Sequence, residues 1–96
     1  MALKINASSL FSSHYLTVTS DGVKYFEGAV GISARTFRFN QIECVLMSAD
    51  NKLSFQVGRE VFTIPTDPNN TKHQTVIATL VQEIQRTGVG WSVERT

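Results

Sequence analysis

One change of pattern constrains this chain more than any other feature of it. Up to Pro65 the apolar residues recur mainly with a period of two, and after Pro68 they recur with helical spacing. Leu16 and Val18 alternate with Tyr15, Thr17 and Thr19, and Asp21-Gly22 follows as a hairpin signal of the type I′ kind, which needs positive φ at both positions. Val23 to Glu27 resumes the alternation, Phe37 and Phe39 share a face, and Asn40-Gln41 marks a bend. Ile42 to Met47 is apolar apart from Glu43, which predicts a central strand. Asp50-Asn51 turns it, Leu53, Phe55 and Val57 form an inward stripe, and Gly58-Arg59-Glu60 leads to the strand Val61 to Ile64. Beyond Pro68, Val76, Ile77, Leu80, Val81 and Ile84 fall on one face of a helix running from about Asn70 to Thr87. Thr71 with Gln74 fits a capping box there, and Gly88 fits a left-handed C-terminal cap.

The expected class is therefore α+β and mainly β: a sandwich or open barrel of six to seven antiparallel strands with one C-terminal helix. Six strands read directly, and a seventh must come from the small-residue stretch Gly28–Ala34 or from the N-terminal arm. The expected organisation is an arm or short strand at 1–13, the domain at 14–88 and a tail at 89–96. With 96 residues, 42% of them hydrophobic and 18% charged, the composition is that of one globular domain rather than a disordered segment. A net charge of +1 gives the whole chain no charge signature for nucleic acid, and none is expected as a partner. One cysteine and the lack of a secretory leader pattern in the first thirteen residues point to a reducing, cytoplasmic setting.

The hairpin Tyr15 to Tyr25, the run Arg35-Thr36-Phe37-Arg38-Phe39-Asn40-Gln41-Ile42-Glu43-Cys44-Val45, and the hairpin Leu53 to Ile64 leading through Pro65-Thr66-Asp67-Pro68-Asn69-Asn70 into the helix carry a likeness. In that order they resemble the pleckstrin-homology-like fold, closest to small bacterial PH-like and GRAM-like domains, over roughly Ser13 to Thr87. The resemblance implies a membrane-lipid adaptor, with Lys24, Arg35 and Arg38 gathering a phosphoinositide or other anionic headgroup. Two residues separate the arginines, which on a strand places them on opposite faces.

Catalysis needs a nucleophile, a base and a positioning group together, and the sequence offers no such set, so the chain is not expected to be an enzyme. Cys44 is expected to lie inert on a buried face with Ile42 and Leu46, His14 and His73 to be packing or surface residues, and Asp21, Asp50 and Asp67 to serve turns and caps. No cofactor, metal or small-molecule substrate is implied. The alternation of Arg35, Phe37, Arg38 and Phe39 could stack bases, but Phe37 and Phe39 read more simply as core. The favoured expectation is a non-catalytic binding or assembly module acting through protein contacts, including self-association by strand-edge pairing of the arm or tail. Trp91 and Val93 are its candidate interface residues.

Overall fold

The computed structural model describes residues 3–8, 13–28, 34–88 and the backbone of 90–93. In chain order the elements are β1 (Leu3–Asn6), β2 (Ser13–Val18), β3 (Gly22–Gly28), β4 (Arg35–Arg38), a 3-10 turn (Phe39–Gln41), β5 (Cys44–Met47), β6 (Lys52–Val57), β7 (Glu60–Pro65), α1 (Thr71–Arg86) and β8 (Gly90–Val93). They form two four-stranded sheets, ordered β1-β2-β3-β4 and β7-β6-β5-β8, which face each other without closing into a barrel. The class is α+β, mainly strands with one C-terminal helix, as the change of period predicts.

Seven strands pair antiparallel, and the seventh comes from the N-terminal arm: Leu3, Lys4, Ile5 and Asn6 pair with Val18, Thr17, Leu16 and Tyr15. The eighth differs in kind, since β8 runs parallel to the central strand β5 in the register Cys44↔Gly90 to Met47↔Val93. Alternation alone reveals neither a strand's neighbour nor its direction, so the sequence showed this segment only as strand-like. Of the stretch Gly28–Ala34, residues 29–33 lie outside the described residues.

Register explains the core. Ile5, Leu16 and Tyr25 stand side by side across the first sheet, and Leu3, Val18, Val23 and Phe37 make the next row. In the second sheet Val45, Phe55 and Phe62 oppose one another, as do Met47, Leu53 and Ile64. The two inward faces interdigitate, with Tyr25, Phe37, Phe55 and Phe62 packing ring to ring at centroid distances of 5.1–6.0 Å. The helix lies against β1, β2 and β8, and buries Val76, Ile77, Leu80 and Ile84 into the same core.

Three local readings are corrected in detail. The β2–β3 hairpin forms, but its two-residue loop is Ser20-Asp21, because the Thr19 N–H donates to the Gly22 carbonyl at 2.8 Å. The Thr19 hydroxyl oxygen accepts from the Asp21 and Gly22 N–H groups, so the side chain ties the turn from inside. Neither Asp21 nor Gly22 has positive φ, and the type I′ expectation fails. Glycine is needed at 22 for closeness instead: a Cβ there would sit 1.9 Å from the Phe37 carbonyl oxygen on β4. The helix cap is Asn70 rather than Thr71, its side-chain oxygen accepting from the His73 N–H at 3.2 Å, since the turn that ends with Asn70 N–H on the Asp67 carbonyl sets it in place. The third correction concerns Cys44 and belongs to the surface it occupies. Gly88, with φ of 81°, ends the helix as expected.

Candidate functional site

Cys44 is exposed. Ile42 caps the 3-10 turn and β5 starts only at Cys44, so alternation does not run on from Ile42: Ile42 and Val45 are buried while the cysteine between them is exposed. On this outer face of the second sheet Cys44 stands opposite Gln56, and Leu46 opposite Ser54. Val61 joins them from β7, opposite Gln56, and at 61% exposure it is the large hydrophobic residue most open to solvent among the described residues. Together with Phe55 these side chains line a shallow depression of about 160 Å³ without a charged group in it. Charged residues flank it along the chain: Glu43 before Cys44, and Arg59 and Glu60 before Val61. The depression itself is neutral and partly apolar.

The basic residues proposed for an anionic headgroup are not brought together as a set. Arg35 lies on the inward-facing side of β4, its guanidinium 5.3 Å from the Phe37 ring centre and 5.2 Å from that of Phe62. There it makes a two-pronged ion pair with Glu60 on β7. That pairing raises the arginine and holds the Glu60 carboxyl below the usual carboxylate range. Lys24 and Arg38 lie on the opposite, outer face, in neighbouring rows of the β3–β4 pair. Strand alternation separates the two arginines as their spacing predicts.

A polar cluster that the sequence reading passed over sits where β2 and β3 meet β7. The His14 Nε2–H donates to the Thr63 carbonyl at 3.0 Å, and the same nitrogen is 2.9 Å from the Tyr25 hydroxyl. A carbonyl only accepts, so that contact assigns the proton to Nε2. The Tyr25 hydroxyl lies 3.2 Å from a Glu27 carboxylate oxygen and 3.1 Å from the Thr63 carbonyl, to either of which it can donate. His14 Nδ1 stands 3.8 Å from the other Glu27 oxygen. Burial, with the negative charge of Glu27 second, pushes the Tyr25 phenol well above its ordinary value. The signal was present in the sequence, because His14 has the same parity as Leu16 and Val18, and Tyr25 and Glu27 the same parity as Val23. The cluster spends its hydrogen bonds on joining the two sheets, occupying one carbonyl on the outer edge of β7.

His73 accepts the Asp67 N–H at Nδ1, and Asp67 accepts the Asn69 N–H, so both belong to the helix entry. Asp50 is tied to the Ser48 hydroxyl and to Lys52 within its own turn, and is held below its ordinary value mainly by that hydroxyl. Among the described residues no three His, Cys, Asp or Glu side chains converge as metal ligands, and no helix is long and apolar enough to cross a membrane. The backbone of Trp91 pairs with Val45 and that of Val93 with Met47, while both side chains lie outside the described residues. No family model, curated protein or solved structure matches the chain.

Proposed function

We propose that this domain is a non-catalytic binding and assembly module that works through protein contacts, its partner being a second copy of itself. The observation that carries the reading is the outward group of Val61, Leu46 and Cys44 around an uncharged depression on the second sheet. An uncharged depression can meet its own two-fold copy without like-charge repulsion at its centre, and symmetric pairing is the commonest form of self-assembly. Use of both candidate donor segments within the chain, the arm as β1 on β2 and the tail as β8 on β5, favours a face-to-face contact over strand-edge pairing. An exposed single thiol on that face suits the cytoplasmic setting proposed for it. Seven antiparallel strands followed by one helix also support reading the chain as a PH-like domain.

The test is solution mass by light scattering over a dilution series, for the wild-type chain and for Val61→Asp. The expected result is a dimer that dissociates on dilution and a variant that is monomeric at every concentration with an unchanged melting temperature. A wild-type monomer of 10.7 kDa throughout overturns self-assembly. A dimer that survives Val61→Asp moves the contact elsewhere.

A further inference from the structure

An open sheet ends in edge strands, whose rows of backbone N–H and C=O groups another chain can pair with. Here β1 and β8 lie on the side that α1 packs against, and β4 and β7 are the opposite edges of their sheets. The ladder shows which groups of β7 turn outward. In an antiparallel pair, alternate residues exchange both hydrogen bonds with the neighbouring strand, and those between them point the other way. The Thr66 N–H donates to the Asn51 carbonyl at 2.9 Å, continuing the register that sets Lys52 against Pro65. Glu60, Phe62 and Ile64 therefore bond to β6, while Val61, Thr63 and Pro65 turn their backbone groups away from it. The side chains of that outward row carry no charge to repel a second copy. A second β7, added about a two-fold axis at Phe62, would set Val61 of each copy against Thr63 of the other. Half the hydrogen bonds of such a ladder would run from the Val61 N–H to the Thr63 carbonyl.

That carbonyl is already taken. The His14 Nε2–H donates to it at 3.0 Å and the Tyr25 hydroxyl stands 3.1 Å from it, so two side chains of the other sheet fill the place an incoming N–H needs. Tyr25 is 4% exposed and rooted in the core, and His14 packs edge-on against its ring, which anchors both. Pro65, next in the outward row, has no N–H to offer. The β4 edge is stopped in a like manner. The Phe39 N–H on the Asp21 carbonyl sets its alternation and turns the Arg38 N–H outward, where the Gln41 side-chain oxygen accepts it at 2.7 Å. We infer that the His14–Tyr25 cluster is an edge guard, which occupies the Thr63 carbonyl and so keeps β7 from pairing with β7 of a second copy. The guard concerns backbone groups along an edge, whereas the proposed self-assembly uses side chains on a face, and each stands or falls separately.

The experiment compares the mass of the full chain, by light scattering over a dilution series, for wild type, for His14→Ala and for His14→Ala combined with Tyr25→Phe. Circular dichroism verifies that each is folded, and where the double variant is not, His14→Ala decides by the same criteria. Leu80→Ala, which loosens the domain from its helix side, controls for instability. Opening the guard should raise the mass at the highest concentration at least about twofold over wild type, with Leu80→Ala unchanged. Amide hydrogen exchange should show the Val61 and Thr63 N–H groups slower in the assembled variant than in wild type, because they have entered a ladder. A folded variant whose mass follows wild type at every concentration overturns the inference. So does equal growth of Leu80→Ala, or growth without slower exchange at Val61 and Thr63, since either traces assembly to exposed core rather than to the edge.

Discussion

The two open ends of this sandwich are closed by different chemistry. At one end the helix lays Val76, Ile77, Leu80 and Ile84 across the gap beside β1 and β8. At the other, β7 is fastened to β2, β3 and β4 by polar groups: His14 and Tyr25 on the Thr63 carbonyl, and Arg35 on Glu60. Burying one such aliphatic side chain contributes about 1.5–3 kcal/mol, whereas a neutral hydrogen bond nets about 1 kcal/mol because water competed for the same groups. An ion pair as exposed as Arg35–Glu60 contributes less again. The apolar end holds the domain together. The polar end fixes which strand residue faces which, and its ion pair and phenol add a response to pH and salt.

Leu80→Ala attacks the stronger end and should have the largest effect. Loss of a fully buried leucine costs about 2–5 kcal/mol, which urea denaturation would register as a clear drop in midpoint at unchanged slope. Tyr25→Phe comes next, at about 1–2 kcal/mol, since the His14–Thr63 bond remains and only the hydroxyl is lost. If it equalled Leu80→Ala, the contrast between the ends would collapse. Tyr25 also has a pH signature. Its folded phenol keeps its proton more tightly than an unfolded one, so the resulting stability is complete below about pH 10 and lost as pH rises beyond that toward the folded value. Denaturation midpoints between about pH 8 and 11 should fall more steeply for wild type than for Tyr25→Phe. Glu60→Gln should give the smallest change, a barely resolved lowering of the melting temperature that vanishes in high salt. With its carboxyl held low by Arg35, Glu60 contributes above the ordinary carboxylate range, and the difference should also disappear as acid protonates it.

What was legible in the sequence follows from what periodicity encodes. Leu53 and Phe55 inward, and the helix face from Val76 to Ile84, were readable because burial on one side imposes a period. Cys44 was misplaced because β5 begins at Cys44 rather than at Ile42, and alternation counted from a residue outside the strand runs out of phase. Gly22 was recognised as special for the wrong reason: its neighbour is Phe37 on β4, a contact made by sheet pairing and invisible in a dipeptide. The same limit governs the surfaces. That Val61 joins Leu46, or that Thr63 turns its carbonyl away from β6, depends on register between strands, which no single strand specifies. The Arg35–Arg38 separation, a property of one strand, was foreseeable and was foreseen.

The contact between β1 and α1 has a consequence in time. The opening strand finds its cover only in the last helix, and β5 gains its parallel neighbour only from the strand after that. Contacts so distant along the chain must await loop closure over nearly its whole length, which places folding toward the slow, millisecond-to-second end of the range for small domains. A chain still emerging from the ribosome can form its hairpins early, yet β1 and β2 lack the helix packed against them until α1 appears.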